Sequence, residues 1–426
     1  MNTSDQKTDT SGPQFEDQDK FWHQFSFITF FAAILTFVLL IRGLNLHNYF
    51  FERFRERAEN QATLKANHFT FENFQKSLNV IDLFFNHFKN PVLIGSSELS
   101  QTYEYDQDAF HPCIFYNNFD LGFTPLMIGN GWAQSFFSLL LFANLEVDEK
   151  LPIVIIISPQ WFEKSMGRTR TLRHVSMKWL VGALLNSPEP FNSYIHKRLR
   201  PIIQAEDDLF LNLYLRVYNT GAKGKALSRV FKPLLKLKHL IYDLGEKYAL
   251  FFYHDGKFDP AYQDRRKKLT ELDYDEFEKR NLAVARQRTT NNRFGIYNKY
   301  FNEWVRDKYE RVMNGGDYGR GRDYLITENQ EWDDFEKLCE IIDYKQLNVV
   351  LIIPPFNRQL FKALNFNVDN QDEFYGKLKE IAGRHKVAIK EYSDKSDELY
   401  YLRDAMHTGW RMHIELIRET YEHFRK

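Results

Sequence analysis

The chain has 426 residues, enough for one large domain or two ordinary ones, and 43% hydrophobic content, enough for a real core. Lys plus Arg equals Asp plus Glu at 57 each, a net charge of zero that excludes a general nucleic-acid binder, which carries a basic excess. The only cysteines, Cys113 and Cys339, form no Cys-x-x-Cys pair, and the 13 histidines form no His-Glu-x-x-His, so neither a zinc nor a redox motif is present.

Residues 1–24 are polar and read as a tail without a core. From Phe25 to Ile41 there is no charge, which predicts a membrane-spanning helix over 25–46 with Phe21 and Trp22 at one interface and Arg42 at the other. No small-residue cleavage site follows, so the segment is expected to stay as an anchor. Arg42, Arg53, Arg55 and Arg57 follow it, against Lys7 and Lys20 before it, and charge alone would put the C-terminal side in the cytoplasm. Residues 47–90 are charged and aromatic at helical spacing, with Phe71, Phe74 and Leu78 on one face, and read as a helical connector.

Beyond Pro91 an α/β pattern begins. Strands are predicted at Val92–Ile94, Ile114–Tyr116, Ile153–Ile157, Val349–Ile353 and Val387–Tyr392, with helices at 132–146 and 371–385 between them. Strands alternating with helices predict a parallel sheet covered on both faces. The segment 165–345 has helical patterning and little strand signal, and reads as a helical insertion beside the sheet. Cys113 and Cys339 then fall in a strand and a helix, where buried free thiols are expected, with a disulfide left open.

The chemistry concentrates at two places. Gly95-Ser96-Ser97-Glu98-Leu99 follows the first strand, and the carboxyl ends of strands in an open α/β sheet are where reactive side chains sit. Asp404-Ala405-Met406-His407 follows the last strand. At a spacing of three, the two side chains share a face. They are the carboxylate and imidazole that a serine nucleophile needs. Ser97 or Ser96 is the candidate nucleophile, or both serines cap the helix that follows. His413 competes with His407 but has no carboxylate three residues earlier. Gly129-Asn130-Gly131 opens a helix where free N–H groups gather, and Gln160 lies just past the third strand.

These motifs, in this order, resemble the SGNH/GDSL hydrolase superfamily. Ser158-Pro159-Gln160-Trp161-Phe162 and the single N-terminal apolar segment make the chain similar to the DltD family of membrane-anchored D-alanyl transfer proteins in teichoic acid alanylation. The resemblance implies a sheet of about five strands and an extracytoplasmic catalytic domain over 91–426, against the charge rule. It implies Ser97 as nucleophile, His407 as base and Asp404 as its partner. Gly131 would be the oxyanion glycine, and Gln160 would stand where the superfamily usually carries asparagine. No cofactor is implied. The implied partners are a DltB-like membrane O-acyltransferase, a D-alanyl carrier protein and a teichoic acid acceptor. Another cell-envelope esterase, thioesterase or O-acyltransferase would use the same residues. A non-catalytic scaffold for a carrier protein or membrane acyltransferase would not need them.

Overall fold

The computed structural model describes residues 77–100, 110–129, 131, 133–163, 175–205, 208–253, 266–269, 271–316, 322–323 and 329–425, with positions 36, 40, 48–49, 51–53 and 55–56. The expected membrane helix at 25–46 lies outside them, apart from Thr36 and Leu40, as do Phe71 and Phe74 of the connector. Among the described residues no helix is long and apolar enough to cross a membrane.

Five parallel strands form the central sheet: β1 Val92–Gly95, β2 Leu126–Gly129, β3 Ile153–Ile156, β4 Val349–Ile353 and β5 Ala388–Glu391. Their order is β2-β1-β3-β4-β5. The strand order reverses between β1 and β3, and crevices in doubly wound sheets open at the carboxyl end of that point. Both faces are covered, which is why β1 to β4 read as unbroken apolar runs. Val92 and Ile94 face one core with Leu126, Ile128, Ile153, Ile155 and Leu351. Leu93 faces the other with Met127, Val154, Ile156 and Ile352, as the two-residue period of a strand requires.

After β1 comes a single turn, α1 Ser97–Ser100, and then α2 Pro112–Asn118. The first core is closed by α3 Ser135–Asn144, by α4 Met177–Asn186, α5 Glu189–Ala205, α6 Leu209–Tyr218 and α7 Lys232–Tyr253 from the helical segment, and by α9 Gln330–Tyr344 and α10 Gln371–Arg384. The second core is closed by α2, α8 Tyr274–Arg288 and α11 Trp410–Phe424. Two short parallel pairs, Phe119–Asp120 with Lys267–Lys268 and Arg322–Asp323 with Phe366–Asn367, lie outside the main sheet.

One expected strand is a helix. Ile114–Tyr116 belongs to α2, which starts with Pro112 in its first turn and His111 as N-cap, its ring accepting from the Cys113 N–H at 3.2 Å. Proline in the first helical turn costs no hydrogen bond, and its fixed φ suits a helix. The second strand is instead Leu126–Gly129, in register with β1 from Val92↔Leu126 to Gly95↔Gly129. Cys113 is therefore helical, and both thiols are buried and free.

A buried ion pair ties α5 to α9, two helices that close the first core. Arg198 on α5 holds the Asp334 carboxylate of α9 through Nε at 3.0 Å and Nη2 at 2.8 Å, and the Tyr194 hydroxyl donates to it at 2.6 Å. Removing one partner leaves an uncompensated buried charge. Asp334→Ala is expected to cost about 3–5 kcal/mol, read as a lowered urea midpoint. A midpoint unchanged from the parent protein would show that α5 does not depend on this pair.

Candidate active site

β1 stops at Gly95, and the next residues fold on themselves. The Ser96 N–H donates to Glu98 Oε2 at 3.1 Å, and the Ser96 hydroxyl donates to the same oxygen. Ser96 and Glu98 are both buried, so Ser96 points inward and Ser97 is turned the other way. His111 braces the turn from α2. Its Nδ1 accepts from the Cys113 N–H, so the proton sits on Nε2, which donates to the Glu98 carbonyl at 2.8 Å. Burial, against the pull of that carbonyl and aided by the Arg403 charge, lowers the His111 pKa to about 3, so the ring is neutral.

Leu99 presses α1 onto the strands. A Cβ at Gly129 would lie 2.3 Å from Leu99 Cβ, so only glycine lets β2 pass this closely. Gly129→Ala is expected to push α1 outward and lower activity by about 100-fold, since a displacement of about 1 Å costs that much in a reacting geometry. Unchanged activity in a folded Gly129→Ala variant would mean that the turn tolerates the shift.

The second half of the site is a closed loop before α11. Leu402 and Thr408 form an antiparallel bridge, the Arg403 N–H donates to the His407 carbonyl at 3.0 Å, and the Gly409 N–H donates to the Tyr401 carbonyl at 2.7 Å. A Cβ at Gly409 would come within 2.7 Å of the Tyr400 carbonyl oxygen, so glycine closes the loop. Inside it, Asp404 Oδ1 accepts the N–H groups of Met406 and His407 at 2.7 Å each. Asn281 of α8 clips the loop to the rest. Its Nδ2 donates to the Trp410 carbonyl at 2.8 Å, and its Oδ1 accepts the Phe110 N–H at 2.7 Å.

The fold brings the two halves together. His407 Nε2 lies 2.7 Å from Ser97 Oγ, and His407 Nδ1 lies 2.7 Å from Asp404 Oδ2. The buried carboxylate only accepts, so Nδ1 carries the proton and Nε2 presents a lone pair to the serine hydroxyl. Burial pushes the Asp404 carboxyl up, but the charge and hydrogen bond of His407, with Arg403 and the backbone N–H, outweigh it and hold it at about 2. Burial likewise disfavours the His407 imidazolium, but the charge and hydrogen bond of Asp404 and the charge of Glu98 win over it and over Arg403, leaving the pKa raised above 6.5. A base next to a hydroxyl, oriented by a buried carboxylate, can take the serine proton.

Of the other candidates, Gly131 lies in the turn between β2 and α3, and buried Gln160 lies in the turn Pro159–Phe162 that follows β3. β2 and β3 flank β1, so the segments carrying Ser97, Gly131 and Gln160 all leave the same edge of the sheet. His413 is buried in α11, its ring edge-on to His111 at 4.7 Å, with a pKa driven well below 6.5 by burial first and by His111 and Arg403. Sequence reasoning missed three groups that shape this site: Glu98, His111 and Arg403. Glu98 stands inside the Gly95–Leu99 motif and Arg403 directly before Asp404, so position in the sequence marks both. Nothing in the pattern around His111 marks it.

A family model described as "DltD protein" matches residues 66–425. The chain belongs to the DltD family. The Protein DltD of Bacillus subtilis (strain 168) is 24% identical over 335 residues, covering 76% of this chain and 80% of the relative. That of Lacticaseibacillus rhamnosus is 22% identical over 324 residues, covering 75% and 73%. That of Staphylococcus aureus (strain NCTC 8325 / PS 47) is 22% identical over 339 residues, covering 78% and 80%.

Proposed function

We propose that this DltD-family chain is a membrane-anchored serine acyltransferase of teichoic acid D-alanylation. The observation that carries the reading is the continuous line Ser97 Oγ–His407 Nε2–His407 Nδ1–Asp404 Oδ2, 2.7 Å at each junction, joined across 310 positions of sequence. The strand order and the serine directly after β1 support an SGNH-like fold. The resemblance supports segment 25–46 as the anchor, with residues 91–426 outside the cell.

In the first half-reaction His407 takes the Ser97 hydroxyl proton as Oγ attacks the D-alanyl carbonyl of the donor. Negative charge gathers on the carbonyl oxygen, where the N–H groups of Ser97 and Gly131 and the Gln160 amide are the donors for it. The intermediate collapses, the donor's leaving group takes the proton back from His407, and a D-alanyl ester remains on Ser97. In the second half, His407 removes a proton from a hydroxyl of the teichoic acid chain. That oxygen attacks the ester, and Ser97 leaves with the proton. Asp404 holds the imidazole in one tautomer throughout and stabilises its cation. An anchor keeps the enzyme on the membrane face where the polymer is attached, which raises its effective concentration. Donors would be a carrier protein or a DltB-like membrane O-acyltransferase.

Treatment with a serine-reactive phosphonate, followed by peptide mass mapping, tests the reading. An adduct on Ser97, absent in Ser97→Ala and slowed in His407→Ala, is the expected result. Labelling on Ser96 would move the nucleophile. No adduct on folded protein would make the scaffold reading the leading one.

A further inference from the structure

The helical segment carries a surface that acyl transfer does not use. Leu209 is 85% exposed and Val230 is 71% exposed, and Leu213, Leu227, Leu234, Ile241 and Tyr248 are exposed as well. Leu234, Ile241 and Tyr248 are seven residues apart, so they run as one stripe along α7. α6 lies beside its start. Phe210 and Phe231 have ring centroids 5.9 Å apart, and Lys238 of α7 pairs with Asp208 at 2.6 Å. Exposed large apolar side chains grouped in this way mark an interaction surface, unlike the same residues scattered singly.

The charge of this region is as uneven as its hydropathy. Between Leu209 and Tyr248 stand eight Lys or Arg against Asp243 and Glu246, and those two carboxylates pair with Lys178 and Lys247, in a chain whose net charge is zero. Lys223, Lys225, Arg229, Lys232 and Lys236 are all exposed. A helical surface with apolar side chains bordered by lysines has the character of an interfacial membrane face.

Its place in the fold agrees. Phe51, five residues past the candidate anchor at 25–46, packs against the first core, and the Lys247 ammonium of α7 sits 5.4 Å from its ring centroid. The chain leaving the anchor thus meets the helix that bears the stripe, one residue from exposed Tyr248. A second copy is disfavoured as occupant, because a two-fold contact would set this basic face against itself.

We propose that the exposed face of α6, the Ala222–Ser228 helix and α7 lies on the bilayer, with its apolar side chains at the headgroup–acyl boundary and its lysines on anionic lipid phosphates. This orientation rests on the anchored reading above. It holds the catalytic domain in one fixed attitude to the membrane from which the acceptor polymer projects.

The test uses the full chain in phosphatidylcholine vesicles with and without phosphatidylglycerol. Cys113 and Cys339 are buried, so a Val230→Cys variant takes an environment-sensitive label selectively, with Glu380→Cys as control. Glu380 is exposed on α10, at the far end of the helical layer that runs α7–α4–α3–α9–α10. Lipids spin-labelled near the headgroup are expected to quench position 230 and not 380, and more strongly with phosphatidylglycerol. Lys232→Glu combined with Lys236→Glu is expected to lower the membrane-bound fraction of the face by more than tenfold, as each basic residue near an anionic surface contributes about fivefold. Alkaline extraction reads the anchor separately. If the protein resists extraction yet position 230 is unquenched, the anchor stands and the face proposal falls. If extraction strips the protein but position 230 is quenched beforehand, the anchor reading fails and the face stands alone. Energy transfer between labelled copies without lipid quenching would assign the surface to self-association and overturn the proposal.

Discussion

On the proposed mechanism, Ser97→Ala is expected to lower D-alanyl transfer to a teichoic acid acceptor by about 10⁴-fold or more, because removing the nucleophile of such a unit forfeits nearly all of its catalysis. Ser96→Ala is the informative comparison. Its hydroxyl bonds Glu98, not His407, and its loss leaves a buried carboxylate less satisfied. That variant is expected to lose about 1–3 kcal/mol of stability and no more than about tenfold in rate. Incorporation of labelled D-alanine measures both. An active Ser97→Ala beside a dead Ser96→Ala would reverse the assignment.

Asp404→Asn is expected to lower the rate by about 10⁴-fold while leaving the fold intact, since an amide cannot hold the imidazole in the tautomer that presents Nε2 to Ser97. The pH dependence separates this from a merely structural effect. In the proposed mechanism His407 serves as base only when neutral, and its pKa is raised above 6.5, so kcat/KM should climb with pH through a midpoint above 6.5. Without the carboxylate charge that midpoint should move to lower pH as the plateau drops. A midpoint unmoved by Asp404→Asn would disconnect the carboxylate from the base. Stability follows the same pair with opposite signs. Asp404 is depressed from 3.8 to about 2, so its contribution is present above pH 3.8 and is lost as pH falls through about 2. His407 is raised, so its contribution is present below pH 6.5 and is lost as pH rises through its folded value. The pair stabilises the fold most between about pH 4 and 6.5.

The central strands were legible because they are buried on both faces. Val92–Ile94, Ile153–Ile157 and Val349–Ile353 are apolar without interruption, and a run of that kind between helical patterns has few other places to go. β5 was legible for a different reason, as a half-buried strand at the sheet edge that follows an amphipathic helix. The exchange of Ile114–Tyr116 for Leu126–Gly129 shows where local pattern stops deciding the element. Three apolar residues carry no periodicity, and the decision lay with Pro112, His111 and the space that Gly129 leaves for Leu99.

By itself the sequence determined the α/β class, most of the strands, the helical character of the segment between β3 and β4, and the residue types of the site. Each of these is written in local spacing and burial pattern. Only the tertiary structure decided which serine faces the imidazole, because adjacent residues differ only in side-chain direction and Glu98 turns Ser96 inward. Only it joined Ser97 to His407, since no local pattern encodes a contact across 310 positions. The exposed apolar side chains of α6 and α7 have the same origin. The helical patterning of 165–345 says that helices form there, and packing alone set which side of each helix stayed outside.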